Sequence, residues 1–358
     1  MTTATIEKPA PVFHGVEQVD DKRFYLIDDM RLISVTTATG VIAKEALIRW
    51  SAGLAADAAF AELPSIVVAS RIKACGNTGT RCDHDSAERC ERCACWQCKA
   101  CITKWIAERH LVNNRRRTDE GKRVHDVVEW WSYTGEIKAH DPDITPYVAA
   151  FEAFVVEYGL TPDSFLASEA LVVNREEEYA GTTDGIIRFY AGATDAAAKL
   201  VSRVTQVNWQ KAAKQGLSVD LIGDFKTREG EGPKFYPEQA LQLTGYRHAP
   251  VIRVKNSDVE EPMPATDGAV LIQLRPDGFT PRLAVTTEDT YRRGFLKALG
   301  LCRWLIEDGN AAVSSHTFVL PETVRARERK AEKERAAAQA AADPSVEPQI
   351  PSESSEVA

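Results

Sequence analysis

Hydrophobic positions in the middle of the chain recur with a period of two. Phe165 to Val173, Gly181 to Tyr190 and Val219 to Thr227 therefore read as three core strands, the first carrying Glu169. A late hairpin is predicted from Gly268 to Leu274 and Phe279 to Val285, joined by the turn signal Arg275-Pro276-Asp277-Gly278. Elsewhere the period lengthens to that of a helix: Ile42 to Ala61, Ile102 to Trp131, Pro146 to Tyr158, Pro237 to Ala249 and Asp289 to Ile306. The basic run Arg115-Arg116-Arg117 is expected to interrupt the second of these. Ser34-Val35-Thr36-Thr37 supplies hydroxyls to cap the first. Phe24 to Ile33 alternates weakly and reads as a strand or hairpin. Ala191 to Asp220, rich in Ala, Lys and Gln, reads as a surface excursion with a short helix near Asn208 to Lys214.

These elements imply an α/β (α+β) fold, a mixed β-sheet flanked by helices. The expected organisation is a leader and strand over 1–33, a helical part over 34–74 and a cysteine-rich insert over 75–101. A main core over 102–310 and a charged, largely disordered tail over 311–358 complete it.

Composition narrows the function classes. Among 358 residues, 44% are hydrophobic and 27% charged, an ordinary globular balance. The net charge of −8 argues against a chain coated in basic residues. It leaves room for a local basic channel, which is what phosphates feel. No apolar run approaches the ~20 residues that span a bilayer, and no secretory signal is evident, so a cytoplasmic protein without a membrane partner is expected.

Candidate chemistry gathers between Tyr179 and Tyr246. Asp224 and Lys226 project together from an otherwise apolar strand, Leu221-Ile222-Gly223-Asp224-Phe225-Lys226-Thr227, while Leu221 and Phe225 face the other way. Burying such a pair without an occupation is costly. Asp184 lies in a similar strand, and a hairpin of the two would let both carboxylates meet one divalent cation. Gln242 and Tyr246 share a helix face, as do His125 and Glu129. Each feature has a plainer alternative: Asp184-Gly185 is a turn dipeptide, Asp224 and Lys226 suit the wet side of an edge strand, Glu169 suits an exposed position, and His125 suits an ordinary amphipathic helix.

Together, His125, Asp184, Asp224-x-Lys226 and Gln242-x3-Tyr246 resemble the motif series of the RecB-like branch of the PD-(D/E)XK nucleases, which includes CRISPR-associated and many phage exonucleases. The resemblance covers roughly Ile33 to Leu283. It implies a restriction-endonuclease-like core and a metal-dependent DNA exonuclease of phage-type recombination, replication or repair. It further implies Mg²⁺ or Mn²⁺ held by His125, Asp184, Asp224 and the carbonyl of Phe225. Lys226 would orient or deprotonate the attacking water, and Gln242 and Tyr246 would position the DNA strand. Arg115, Arg116, Arg117, Lys122 and Arg123 precede His125 and are candidate phosphate contacts, or else a solvated charge run. Two alternatives remain: a non-catalytic DNA-binding or scaffold protein on this fold, and an endonuclease subunit of a helicase complex. The expected partners are DNA, as single strands or duplex ends, and a recombination or replication protein.

Seven of the 8 cysteines fall between Cys75 and Cys101. Cys75, Cys82, Cys90, Cys93, Cys95, Cys98 and Cys101 with His84 make eight ligands in close pairs, enough for two structural Zn²⁺ ions. An iron–sulfur cluster is the alternative. The relatives that carry such a cluster place three cysteines after the Gln/Tyr helix, whereas here only Cys302 follows it.

Overall fold

The computed structural model describes residues 15–19, 22–42, 45–70, 99–253, 259–309, 312 and 326–335. The chain divides into two units, Met1–Arg303 and Trp304–Ala358. In the second, residues 326–335 form an exposed helix. Among the described residues, no helix is long and apolar enough to cross a membrane.

Strands β1 (Gly15–Val19), β2 (Lys22–Ile27) and β3 (Met30–Ser34) lead into helices α1 (Val35–Thr39), α2 (Glu45–Ala61), α3 (Leu63–Ala69), α4 (Lys99–Ala107), α5 (Arg109–Thr134) and α6 (Thr145–Tyr158). The central hairpin β4 (Phe165–Asn174) and β5 (Tyr179–Tyr190) follows, then α7 (Asp195–Thr205), α8 (Trp209–Lys214), β6 (Ser218–Thr227) and α9 (Pro237–Arg247). Strands β7 (Val251–Arg253), β8 (Glu261–Pro262), β9 (Gly268–Arg275) and β10 (Gly278–Ala284) precede α10 (Glu288–Thr290), a π-turn (Tyr291–Phe295) and α11 (Leu296–Glu307).

Among the described residues, all ten strands belong to one mixed sheet, flanked by helices as the hydrophobic periods predict. Its organising member is β5. One edge of β5 pairs antiparallel with β4 along nearly its whole length. The other edge is shared: β3 pairs in parallel with Tyr179 and Ala180, and β6 pairs antiparallel with Gly185 to Tyr190. Residues 181–184 lie between those two ladders, so the sheet forks there. Beyond β6, β9 pairs in parallel and β10 closes the edge.

Alternation along β6 assigns the two faces. Leu221 and Phe225 join the main core with Val124, Val127, Val128 and Trp131 of α5, Phe151 and Phe154 of α6, and Ile272 of β9. Phe225 is edge-on to both Phe151 and Phe154, at ring-centroid distances of 5.7 and 6.1 Å. The opposite face carries Ile222, Asp224 and Lys226 and meets α9, whose Gln242 reaches Asp224.

Several expectations are corrected. Ala191 to Asp220 is no surface excursion: α7 and α8 contribute Ala197, Ala198, Leu200, Val201 and Ala212 to the main core. The spacing of positions 197, 200, 201 and 204 is a helical stripe, masked in the sequence by small alanines. Ser34 caps its own short helix, its Oγ accepting from Thr37 N at 3.0 Å. Gly15–Val19 is a strand paired with β2. Arg115 to Arg117 continue α5 without a break, and the helical run is divided instead at Glu108. The expected final helix is present as a continuous helical segment from Glu288 to Glu307, with π-helical turns at Tyr291–Phe295. The proposed ligands Cys75, Cys82, His84, Cys90, Cys93, Cys95 and Cys98 lie outside the described residues, as does the side chain of Cys101, which falls in the first turn of α4.

Candidate functional site

The fork in the sheet builds the site. The β5–β6 ladder ends at Gly185 opposite Gly223, which leaves Asp184 and Asp224 as the first positions beyond it on each strand. Phe225 pairs with β9 on its other side, so its amide and carbonyl facing the fork need partners. Two side chains supply them: Asp184 Oδ2 accepts from Phe225 N at 2.6 Å, and His125 Nε2 donates to Phe225 O at 3.0 Å. His125 belongs to α5 on the core face, whereas Asp184 shares the face of Ile186 and Ile222. The gap between the strands lets the two meet.

That second hydrogen bond sets the imidazole tautomer. A carbonyl only accepts, so Nε2 carries a proton and Nδ1 faces the acids, 3.4 Å from Asp184 Oδ1 and 3.8 Å from Glu169 Oε1. One ligand atom from each of His125, Glu169 and Asp184 lies within 4.8 Å of the others, an arrangement able to hold a metal ion. Glu169 reaches it through an unusual backbone. It lies between Ser168, opposite Gly185, and Ala170, opposite Thr183, yet its φ is 47°. Left-handed conformation costs a non-glycine residue roughly 1–2 kcal/mol, and such strain concentrates at functional sites.

A second group stands beside the first. Asp224 is 1% exposed, and its Oδ1 accepts from Lys226 Nζ at 2.7 Å and from Gln242 Nε2 at 3.1 Å. Its Oδ2 lies 2.6 Å from the same Lys226 ammonium and has no further partner. Gln242 also donates to the Tyr246 hydroxyl at 2.9 Å. Tyr246 packs so closely on β5 that a Cβ on Gly181 would fall 2.6 Å from its ring, so only glycine fits there.

Electrostatics follow from this crowding. Burial raises the Asp224 carboxyl to about 6, against the pull of Lys226. Burial also works against ionised Asp184, but the adjacent His125 and Lys226 charges prevail and hold it below the usual carboxylate range. Burial raises Glu169, only partly offset by His125. For His125 and Lys226 burial opposes the cation, yet the surrounding carboxylates raise both, His125 strongly. Burial, reinforced by Asp224 and Asp184, keeps the Tyr246 hydroxyl protonated. The metal-free site thus holds an imidazolium and an ammonium against a cluster of acids.

The sequence-predicted residues fall into three sets. His125, Asp184, Asp224, Lys226, Gln242, Tyr246 and the Phe225 backbone converge. Asp224 is turned toward Lys226, however, and the Phe225 carbonyl is taken by His125. Glu169 joins from β4, signalled in sequence only by a lone acid in an apolar strand. The arginines before His125 are engaged by carboxylates: Arg116 by Glu120 and Glu229, Arg117 by Glu229, and Arg123 by Asp141 and Asp143. Arg115 and Lys122 are exposed on the same helix.

The donor set suits a hard divalent cation. Two carboxylates and an imidazole nitrogen are donors that Mg²⁺ or Mn²⁺ accept, and the Nε2–H bond to Phe225 O leaves Nδ1 turned toward the acids. No protein-family model matches the chain, and no curated protein matches it.

Proposed function

We propose that this protein is a metal-dependent deoxyribonuclease of the PD-(D/E)XK type with a restriction-endonuclease-like core, hydrolysing phosphodiester bonds as an exonuclease. The observation that carries the reading is the convergence at one sheet fork of His125, Glu169 and Asp184 with the buried Asp224–Lys226–Gln242–Tyr246 chain. A structural scaffold gains nothing from burying three acids and two cations together, because such groups seldom repay their desolvation.

A bound Mg²⁺ or Mn²⁺ would activate water and neutralise charge building on phosphorus. Asp184, Glu169 and His125 Nδ1 would hold it, with the charge of Asp224 alongside. Lys226 is cationic, so it donates: it orients the attacking water and stabilises the anionic phosphorane-like transition state. Asp224 and Gln242 fix the Lys226 ammonium in place. The Tyr246 hydroxyl, kept protonated, is available to donate to a phosphate or sugar oxygen of the strand.

The test is incubation of the purified chain with end-labelled single- and double-stranded DNA, with Mg²⁺, with Mn²⁺ and with chelator. Divalent-dependent shortening that Asp184→Asn abolishes supports the reading. DNA left intact under every metal condition by correctly folded protein overturns it.

A further inference from the structure

Arg116, Arg117 and Arg123, expected to meet DNA, are neutralised by carboxylates, which raises the question of where positive charge without a carboxylate partner lies near the fork. It lies on the other side of Lys226. Along the α9 face of the sheet, Lys226 of β6 is opposite Gln273 of β9, and Gln273 is opposite Thr280 of the edge strand β10. Gln273 is 3% exposed and spends its amide on one loop: Oε1 accepts from Lys234 N at 2.9 Å, and Nε2 donates to Lys234 O at 2.8 Å. Neighbouring strands are ~4.8 Å apart, so this clamp holds the 228–236 loop one strand away from the active lysine.

The loop and the strand edge present cations interleaved with aromatic rings. Lys234 Nζ lies 5.4 Å from the centroid of the Tyr236 ring, and the Arg282 guanidinium lies 4.9 Å from that of Phe235. Lys234 and Arg282 are exposed, Phe235 and Tyr236 half-buried. Arg228 continues the β6–β9 ladder, its N donating to Leu274 O at 2.9 Å, and so follows Asp224 and Lys226 on the same side. Its guanidinium folds over Gly230, where a Cβ would lie 2.8 Å from Nη2, and its buried Nε has no hydrogen-bond partner. Among the described residues, Arg228, Lys234 and Arg282 have no carboxylate partner.

We propose that Lys234, Phe235, Tyr236 and Arg282, with Arg228 behind them, form a subsite for an unpaired DNA strand running from the metal centre toward the β10 edge. This rests on the nuclease reading above. Each ring with its neighbouring cation matches one nucleotide: the ring stacks a base, and the cation meets the phosphate. Stacking needs bases free of a complement, so the subsite selects single strands over intact duplex.

The probe is a fluorescein-labelled 20-mer of thymidylate, alongside a 20-base-pair duplex, read by anisotropy in Ca²⁺ with the full chain. Phe235→Ala/Tyr236→Ala is expected to weaken the single strand about 10-fold or more while duplex affinity changes less than about 3-fold. Lys234→Ala/Arg282→Ala, both on exposed side chains, is expected to reduce the salt dependence of single-strand binding by about one to two released ions. In Mg²⁺, both pairs raise KM for the single strand and leave kcat near wild type, which a merely unfolded or misassembled centre would not do. Wild-type-like single-strand affinity in both folded double variants overturns the subsite, as does an equal loss on duplex. So does failure of the unaltered protein to bind the thymidylate strand at all. Loss of DNA cleavage by the unaltered protein, with the variant effects on binding intact, overturns the nuclease reading instead.

Discussion

Replacing Asp224 with asparagine is expected to stabilise the metal-free protein while removing DNA cleavage. The carboxyl is fully enclosed, and burial lifts it from an ordinary 3.8 to about 6. The folded state therefore binds this proton more tightly than the unfolded chain does. Below about pH 4 both states are protonated and no penalty exists. Between about pH 4 and 6 the unfolded chain ionises first, and above about pH 6 the penalty is complete. A little over two pH units, at about 1.36 kcal/mol each, comes to about 3 kcal/mol against the folded state at pH 8. Asparagine keeps an oxygen for Lys226 and Gln242 and puts its amide in the place of Oδ2. That amide faces the Lys226 ammonium, which removes part of the gain, so the net is ~1–3 kcal/mol. At about 1.5–2 °C per kcal/mol for a folded unit of this size, the melting temperature rises by roughly 2–6 °C. Differential scanning calorimetry in chelator at pH 8 and again at pH 5 measures it. The gap must shrink toward acid, because the penalty it relieves shrinks there. An asparagine variant that melts at or below wild type at pH 8, or a gap that does not change with pH, refutes the reasoning.

Asp184→Asn is expected to do the reverse, lowering the melting temperature at pH 8, because a depressed carboxyl contributes stability above its unfolded pKa and loses it only as pH falls through its folded value; calorimetry beside the Asp224 variant reads the opposite signs. Lys226→Ala is expected to cut turnover at least about a hundredfold with DNA affinity within a few-fold of wild type, read by single-turnover cleavage and anisotropy. Mn²⁺ binding at pH 7 is expected to release a proton from His125, whose acids hold it protonated in the free site, so affinity strengthens as pH rises; titration calorimetry in buffers of different ionisation enthalpy counts that proton. The Cys75 to Cys101 segment is expected to bring one or two Zn²⁺ through purification as a colourless protein, and a brown protein with iron and sulfide would transfer the assignment to an iron–sulfur cluster.

Local pattern determined much of this molecule. Period-two alternation located β4, β5, β6, β9 and β10, and helical spacing located α6 and α9, because the burial that stabilises each element is written into a short window of residues. Residue type and spacing also singled out Asp184, Asp224, Lys226, Gln242 and Tyr246, and the resemblance to the nuclease motif series added His125. Only the tertiary structure decided how these groups divide. Nothing local says that β5 shares one edge between β3 and β6, yet that fork opens the gap through which His125 reaches Asp184. Glu169 suited an exposed position because nothing local signals the left-handed backbone with which it comes beside His125. The basic run on α5 looked like a DNA contact because Glu229 and Asp143, its neutralising partners, are distant in sequence. Gln273 and the cation–aromatic loop it clamps carried no signal at all, since a single amide acquires meaning from the strand beside it. Spacing along a chain records which groups are present; which charges meet, and which stay free for a ligand, depends on contacts between segments that only folding brings together.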